Sequence, residues 1–568
     1  MKKEINDRII KIMMDVIAVI IIAFFAYSLT PKTFQNDTFY TIKIGEHLEN
    51  SVESASGYLP WNNKIDFKDP FSIHKDLPYT YPHWLYDLLT YKIYKIDGLS
   101  SVYMATCILA VILGLSIYFV NRKLNKNIII STLITIASMY CLKDFIAARA
   151  QLVTFILFVF TIYGIEQFIA TRKIRYAVLL LIIPIIIANV HSAVWIFYFV
   201  LYLPYLAELF INTMAITNWN LLKRKLILTI RKNKMTKEQY TKEMAEVEKI
   251  QATYDENVNK KLNETYKLKF KREKNTKWLI PIIIIALFTG ILTPIKNMPY
   301  MYTILTMQGN SMNIISEHLP LTLINNVNMI TILVITIGIL TFTKTKIKIR
   351  DFFMLLGLII LSFSSQRQVS MLVIAGNFIL ARLIYDLLKR GKEKFKIKAT
   401  TQVYINVVTI SIIAIFVNFV ALNYCIDKKN DVFIDESSYP VGAADYITNT
   451  LMPELGKENI RIYNDYNYGS YLLYRGIPVF IDSRADLYLP EFNGEKDQNG
   501  KYVGRDIMTD FLDISGIACN YESKFEEYDI THAVLLTNSK LNSLISKDIN
   551  YKQLYKDDYF VIYERGNR

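Results

Sequence analysis

Eleven apolar segments, spaced along most of a 568-residue chain, restrict its fold more than any other feature. They cover 9–29, 102–120, 128–140, 151–170, 176–189, 191–211, 278–293, 327–343, 352–365, 368–388 and 403–422. A helix needs about 20 mostly apolar residues to cross a bilayer core. With 52% hydrophobic residues, the chain is too apolar for a soluble enzyme and too interrupted for one large core. The expected class is an α-helical polytopic membrane protein with about eleven spans and a C-terminal α/β domain. Three segments, near Ile128, Tyr176 and Phe352, are short, which is tolerated where a helix lines a protein cavity rather than lipid.

Charge alternates along the connections. Lys2, Lys3 and Arg8 precede the first segment, and 122–126, 171–175, 212–277, 344–350 and 389–398 are basic. The intervening connections are poor in Lys and Arg or rich in acids. By the positive-inside rule the N-terminus is cytoplasmic and everything after 422 is extracytoplasmic. The net charge of +14 is then mostly topology. Basic loops facing anionic lipid explain it, and no nucleic-acid partner is expected. Segment 9–29 is longer than the apolar core of a signal peptide, so it reads as a retained anchor.

Three regions follow: a membrane domain over 1–422, a charged cytoplasmic helical insertion within it over 212–277, and an extracytoplasmic α/β domain over 423–568. In the insertion, Met244, Val247, Ile250 and Tyr254 recur at helical spacing. One or two charged helices at the membrane surface are expected, with a solvated spacer or a partner-binding coiled coil as alternatives. In the last region 460–463, 479–481, 533–536 and 560–563 read as strands, and 443–451, 466–473 and 539–546 as helices. Roughly 145 residues suffice for a core of their own. Four cysteines form no CxxC, so no cysteine metal site is expected; Cys425 and Cys519 fall in one domain and either pair or stay as thiols.

Polar residues crowd the outward connections. In the loop 31–100, Asp37 stands among Phe34, Phe39, Tyr40, Ile42 and Ile44. A carboxylate in apolar company suits a general base, and Asp37 equally suits the cap of a helix running through Leu48. Asp69-Pro70-Phe71-Ser72 reads first as a structural turn. His83 opens an interfacial apolar run at Trp84 and suits either a phosphate contact or local hydrogen bonding. The connection 141–150 carries Lys143, Asp144 and Arg149, and charges at that depth pair or face a cavity. Arg149 suits bidentate phosphate binding, and Asp144 suits either a pair with Arg149 or a second acid. Further outward turns carry Asn189, His191 and Ser192, then Glu317 and His318, then Arg367 between Gln366 and Gln368. One outward cavity explains them together; interfacial solvation is the alternative. The clusters 464–471 and 481–488, rich in Tyr, Asn, Asp and Arg, suit sugar contacts or turns packed on a sheet. The chain holds no GxxxxGK[ST], no GxGxxG after a strand, no HExxH and no GxSxG. Energy from a cytoplasmic nucleotide is not expected, whereas a pre-activated lipid-linked donor reachable from outside is.

The order of these parts resembles the GT-C superfamily of membrane glycosyltransferases. Asp37…Gly45-Glu46…Asp69-Pro70-Phe71-Ser72…His83-Trp84-Leu85 looks like a prokaryotic polytopic branch of that superfamily. So does Asn467-Tyr468-Gly469-Ser470-Tyr471-Leu472 followed by Phe480-Ile481-Asp482-Ser483-Arg484. The likeness covers nearly the whole chain except the insertion. It implies inverting transfer of a sugar from a polyprenyl-phosphate donor to an envelope glycan, lipid or protein at the outer face of the cell membrane. Asp37 would be the base, Asp144 a second acid, and Arg149, Arg367 and Lys43 the phosphate contacts, with His83, His191 and Glu317 completing the substrate-binding set. Asp37-Thr38-Phe39 is not a DxD pair, so no metal or other cofactor is expected. The competing class is a non-enzymatic transporter or scaffold for envelope glycans or lipids, or an inactive GT-C-like module. Transporters often carry inverted repeats, and none is visible. Convergence of Asp37, Asp144, Arg149, His191, Glu317 and Arg367 on one cavity is the geometric expectation.

Overall fold

The computed structural model describes residues 2–53, 67–271, 273–308, 319–322, 326–395, 399–496 and 502–566. All eleven apolar segments fall on helix. Six stretches are long and apolar enough to cross a membrane: Arg8–Leu29, Trp84–Asn125, Ala150–Thr171, Ser192–Ile216, Gln366–Gly391 and Thr401–Asn430. Ile128–Cys141, Ile174–Val190, Thr276–Ile291 and Met329–Phe342 are shorter apolar helices.

Two of the long stretches are not straight rods. Trp84–Asn125 has 42 residues, about twice a span. It breaks at Asp97 and at Gly98, whose φ of 59° and ψ of −140° suit a residue without Cβ. The segment 191–211, expected as one helix, is a 3₁₀ turn at Ser192–Val194 followed by helices Trp195–Val200 and Leu203–Ile216. Pro204 explains the second break, because it lacks the N–H that a continuous helix needs and tolerates only a first turn.

The insertion folds as two packed helices, Trp219–Arg231 and Lys237–Thr265. Thr236 and Gln239 form a reciprocal capping box at the start of the second. Leu228 and Val247 are buried and Lys225 pairs with Glu248 at 2.9 Å. Of the expected stripe, Ile250 and Tyr254 stay exposed, since a 13-residue helix covers only part of a 29-residue one.

The C-terminal region carries a four-stranded sheet in the order Ile462–Tyr463, His532–Leu536, Phe560–Arg565, Tyr551–Lys556. The first pair is parallel (Ile462 opposite His532) and the others are antiparallel (Val534 opposite Ile562, Gln553 opposite Tyr563). The apolar run at 479–481 is not one of its strands; Val479 instead bridges Ser72 of the first long loop. All four cysteines are free thiols.

The bundle and the C-terminal end have different cores. Phe25, Ile117, Phe158, Trp195, Tyr198 and Phe378 belong to the bundle core. The second core is shared: Phe39, Tyr81 and Trp84 of the loop pack with Tyr439, Tyr471 and Leu472 of the C-terminal region. The C-terminal region therefore does not bury its core alone, as its length had suggested. Phe39 lies edge-on to Tyr439 and Tyr471 at 5.0 and 5.2 Å between ring centres. Phe34 N–H donates to Phe433 O at 3.0 Å, and Ile73 N–H donates to Val479 O at 2.9 Å.

Candidate active site at the loop and bundle junction

Helix Asn36–Glu53 starts at this junction and carries Asp37 in its first turn, where the helix dipole favours a carboxylate. Its position is fixed at its start and near its middle. The Asn36 side chain donates to Tyr466 O at 2.8 Å. At Gly45 an added Cβ would lie 2.2 Å from Asp87 O and 2.6 Å from Tyr91 Cβ. Only glycine lets this helix lie so close to the start of Trp84–Asn125. The Asp37 carboxylate thereby meets Arg149 from the next outward turn, Oδ2 to Nη2 at 2.8 Å. Their side chains remain 21% and 26% exposed, so a substrate can reach the pair.

Two histidines and a second arginine stand beside it. The His83 and His191 rings meet edge to face at 4.7 Å between centres. The His191 Nδ1 atom lies 3.0 Å from the Thr154 hydroxyl, which also donates to Ala150 O at 3.0 Å. Arg367 is near enough for its charge to act on both rings, and Arg149 acts on His83 as well. Burial first, then Arg367 and Arg149, push His83 down to about 3. At neutral pH it is an uncharged imidazole, so positive charge here comes from Arg149 and Arg367. Tyr40 is buried; that burial, and then the charge of Asp37, hold its phenol far above the ordinary value, which keeps it a neutral donor.

Asp37, Arg149, His83, His191 and Arg367 are thus brought together. Two expected members are not. Lys43, six residues along the helix from Asp37, is turned about 120° away and pairs with Glu46 at 2.6 Å. Asp144 is exposed on the turn Lys143–Phe145, and Arg149 pairs with Asp37 rather than with it. Glu317 and His318 lie outside the described residues. Among the described residues no three His, Cys, Asp or Glu side chains gather as a metal site.

Asp87 was not anticipated. It is fully buried, and neither carboxylate oxygen accepts a well-formed hydrogen bond, although Thr41 lies alongside. The signal was a lone acid inside the apolar run Trp84-Leu85-Tyr86-Asp87-Leu88-Leu89, one helical turn after His83.

The other sequence clusters are committed to structure. Arg484 donates from Nη1 to Asp69 at 2.6 Å and from Nε and Nη2 to Asp482 at 2.9 and 2.7 Å. Asp482 also accepts from Tyr488 at 2.6 Å, and Asp69 from Ser72 N–H at 2.8 Å. Burial alone would raise the Asp69 carboxyl, but Arg484 and Ser72 bring it below the ordinary value. Asn464 bridges Ile481 O and Phe480 N–H at 2.7 and 2.9 Å. Tyr468 donates to Val534 O at 2.7 Å inside the sheet packing. Asp69-Pro70 shapes its turn and also clamps the loop to the C-terminal region.

No protein-family model and no curated protein matches the chain. Solved structures do match, among them three of the oligosaccharyltransferase of the archaeon Archaeoglobus fulgidus. One holds an inhibitory peptide and a dolichol-phosphate; it is 13% identical at a TM-score of 0.51, over 97% of this chain and 74% of that one. One tethered to an acceptor peptide with the NVT sequon is 12% identical at 0.51, over the same shares. The apo form is 13% identical at 0.51, over 91% and 69%. The fold of this chain is similar to that of the archaeal oligosaccharyltransferase.

Proposed function

We propose that this protein transfers a sugar, with inversion, from a polyprenyl-phosphate donor to an envelope glycan, lipid or protein, on the membrane face that carries the C-terminal region. The observation that carries the proposal is the partly exposed Asp37–Arg149 pair, with Arg367 close by. The dolichol-phosphate and acceptor peptide held by the archaeal oligosaccharyltransferase support a lipid-linked donor and a polymeric acceptor.

In this reading the donor phosphate engages Arg149 and Arg367 and releases the Asp37 carboxylate from its arginine. Asp37 takes the proton from the acceptor group as that group's oxygen or nitrogen bonds to the anomeric carbon. The bond from that carbon to the phosphate oxygen breaks on the opposite side, and its electron pair leaves with the polyprenyl phosphate. The two guanidiniums stabilise that charge as it grows. Neutral His83 and His191 line the site without competing for the phosphate.

The test uses membranes holding the full chain and a radiolabelled polyprenyl-phosphate sugar. Label should move to a non-lipid or new lipid product with the wild type and not with Asp37→Asn. Undiminished transfer by Asp37→Asn, or wild type that carries the lipid-linked sugar across the bilayer without transfer, overturns the proposal.

A further inference from the structure

We infer that helix Trp219–Arg231 is a docking surface for anionic lipid headgroups, at the end of the bundle remote from the Asp37 site. The surface is independent of the transfer proposed above.

The helix begins three residues after Ile216, the end of the stretch that leaves His191 and runs down the bundle. That stretch, Ser192–Ile216, is long and apolar enough to cross a membrane. Crossing it puts the far end at the opposite membrane boundary. Two ties hold the insertion there. The Asn212 side chain donates to Lys271 O at 3.0 Å, and Leu268–Lys269 pairs in parallel with Ile347–Lys348.

The helix presents two apolar faces, and only one is covered. Leu228 packs toward the second insertion helix and is buried. On the other side Trp219, Leu222, Leu226 and Ile230 recur at i, i+3, i+7 and i+11 and form one stripe. They are exposed by 53%, 47%, 60% and 73%. A tryptophan-led apolar stripe on an otherwise charged element is too large to be incidental on a water-facing surface.

The flanks say what covers it. Lys223 is exposed at the edge of the stripe, Arg224, Arg231 and Lys232 are exposed on the polar side, and Lys225 is paired with Glu248. Apolar residues led by Trp, backed by Lys and Arg and held at the bilayer boundary, suit a helix lying in the headgroup region with its stripe toward the acyl chains. The excess of positive charge selects a negative surface. A protein partner would have to match both features, whereas an anionic leaflet supplies both.

The experiment places the full chain in nanodiscs of phosphatidylcholine, either pure or with roughly one-third phosphatidylglycerol. Amide hydrogen exchange is read over 219–231 and, as a reference, over 237–265. Anionic lipid should slow exchange over 219–231 by about tenfold and leave the reference helix unchanged. Leu226→Glu with Ile230→Glu, both at exposed positions, should abolish the slowing. Lys223→Glu with Arg224→Glu should remove its dependence on phosphatidylglycerol. Equal exchange in the two discs, or slowing that survives both double variants, overturns the inference. Slowing that appears only with cross-linked dimers also overturns it, and assigns the stripe to a second copy of the chain.

Discussion

Asp37 and Asp69 lie on the same loop, and each meets an arginine from a distant part of the chain, at 2.8 and 2.6 Å. The surroundings differ. The Asp69 and Arg484 side chains are 0% and 2% exposed, and Arg484 is saturated by two carboxylates and the faces of Tyr79 and Phe71 at 4.9 and 5.5 Å. Asp37 and Arg149 are open to solvent by about a quarter. The same two functional groups thus give a closed clamp in one place and an exchangeable pair in the other. A closed pair has no capacity left for a substrate. An open pair can give up its partner when a competing anion arrives.

The comparison breaks hardest at the clamp. Arg484→Met leaves Asp69 and Asp482 buried without a cation and should destabilise the protein by about 3–5 kcal/mol. Thermal unfolding followed at the C-terminal region checks this, and a loss under about 1 kcal/mol would mean the clamp is not closed. Asp37→Asn should do the reverse, costing about 10²–10⁴-fold in transfer with little change in stability. A third variant, Gly469→Ala, probes the frame behind the clamp. Its Cβ would lie 1.9 Å from Ile481 O, a backbone atom that cannot swing aside. Overpacking of that kind should cost about 1–3 kcal/mol with no selective effect on transfer, which a comparison of melting curves and rates per folded molecule would expose.

What the sequence made legible follows the range of the forces involved. Helix content of the apolar segments is local, so all eleven could be read from length and hydropathy. The break inside 191–211 was not read, although Pro204 is its local mark. The turn at Asp69-Pro70 was also local and readable, but its partner Arg484 is 415 positions away and was not. For Arg149, the nearby Asp144 looked like a natural partner; packing selected Asp37 of another loop. The run at 479–481 has strand composition, yet its hydrogen bonds go to Phe71 and Ile73 of the loop, a pairing no periodicity encodes. Asp87 stayed hidden because an apolar run was read for its hydrophobicity rather than for its one exception.

The smallest effect separates the two regions by pH. His74 belongs to the clamp side, its Nε2–H donating to Phe480 O at 2.7 Å, while His83 belongs to the open site. Burial pushes His74 down to about 4, with Arg461 adding to it, and burial with Arg367 and Arg149 pushes His83 to about 3. The unfolded chain takes up these protons near pH 6.5, and the folded state resists them. Stability is therefore full above that pH and falls as pH drops, toward about 4 for His74 and about 3 for His83. Each histidine should cost at most about 2 kcal/mol between pH 6.5 and 5. Unfolding midpoints and transfer for His74→Gln and His83→Gln over that range separate them. His74→Gln should flatten the pH dependence of melting and leave transfer intact. His83→Gln should flatten it to a similar degree, because its folded-state value also lies below that range, and should alter transfer. Equal flattening with transfer unchanged in both would mean that the site around Asp37 is as closed as the clamp around Asp69.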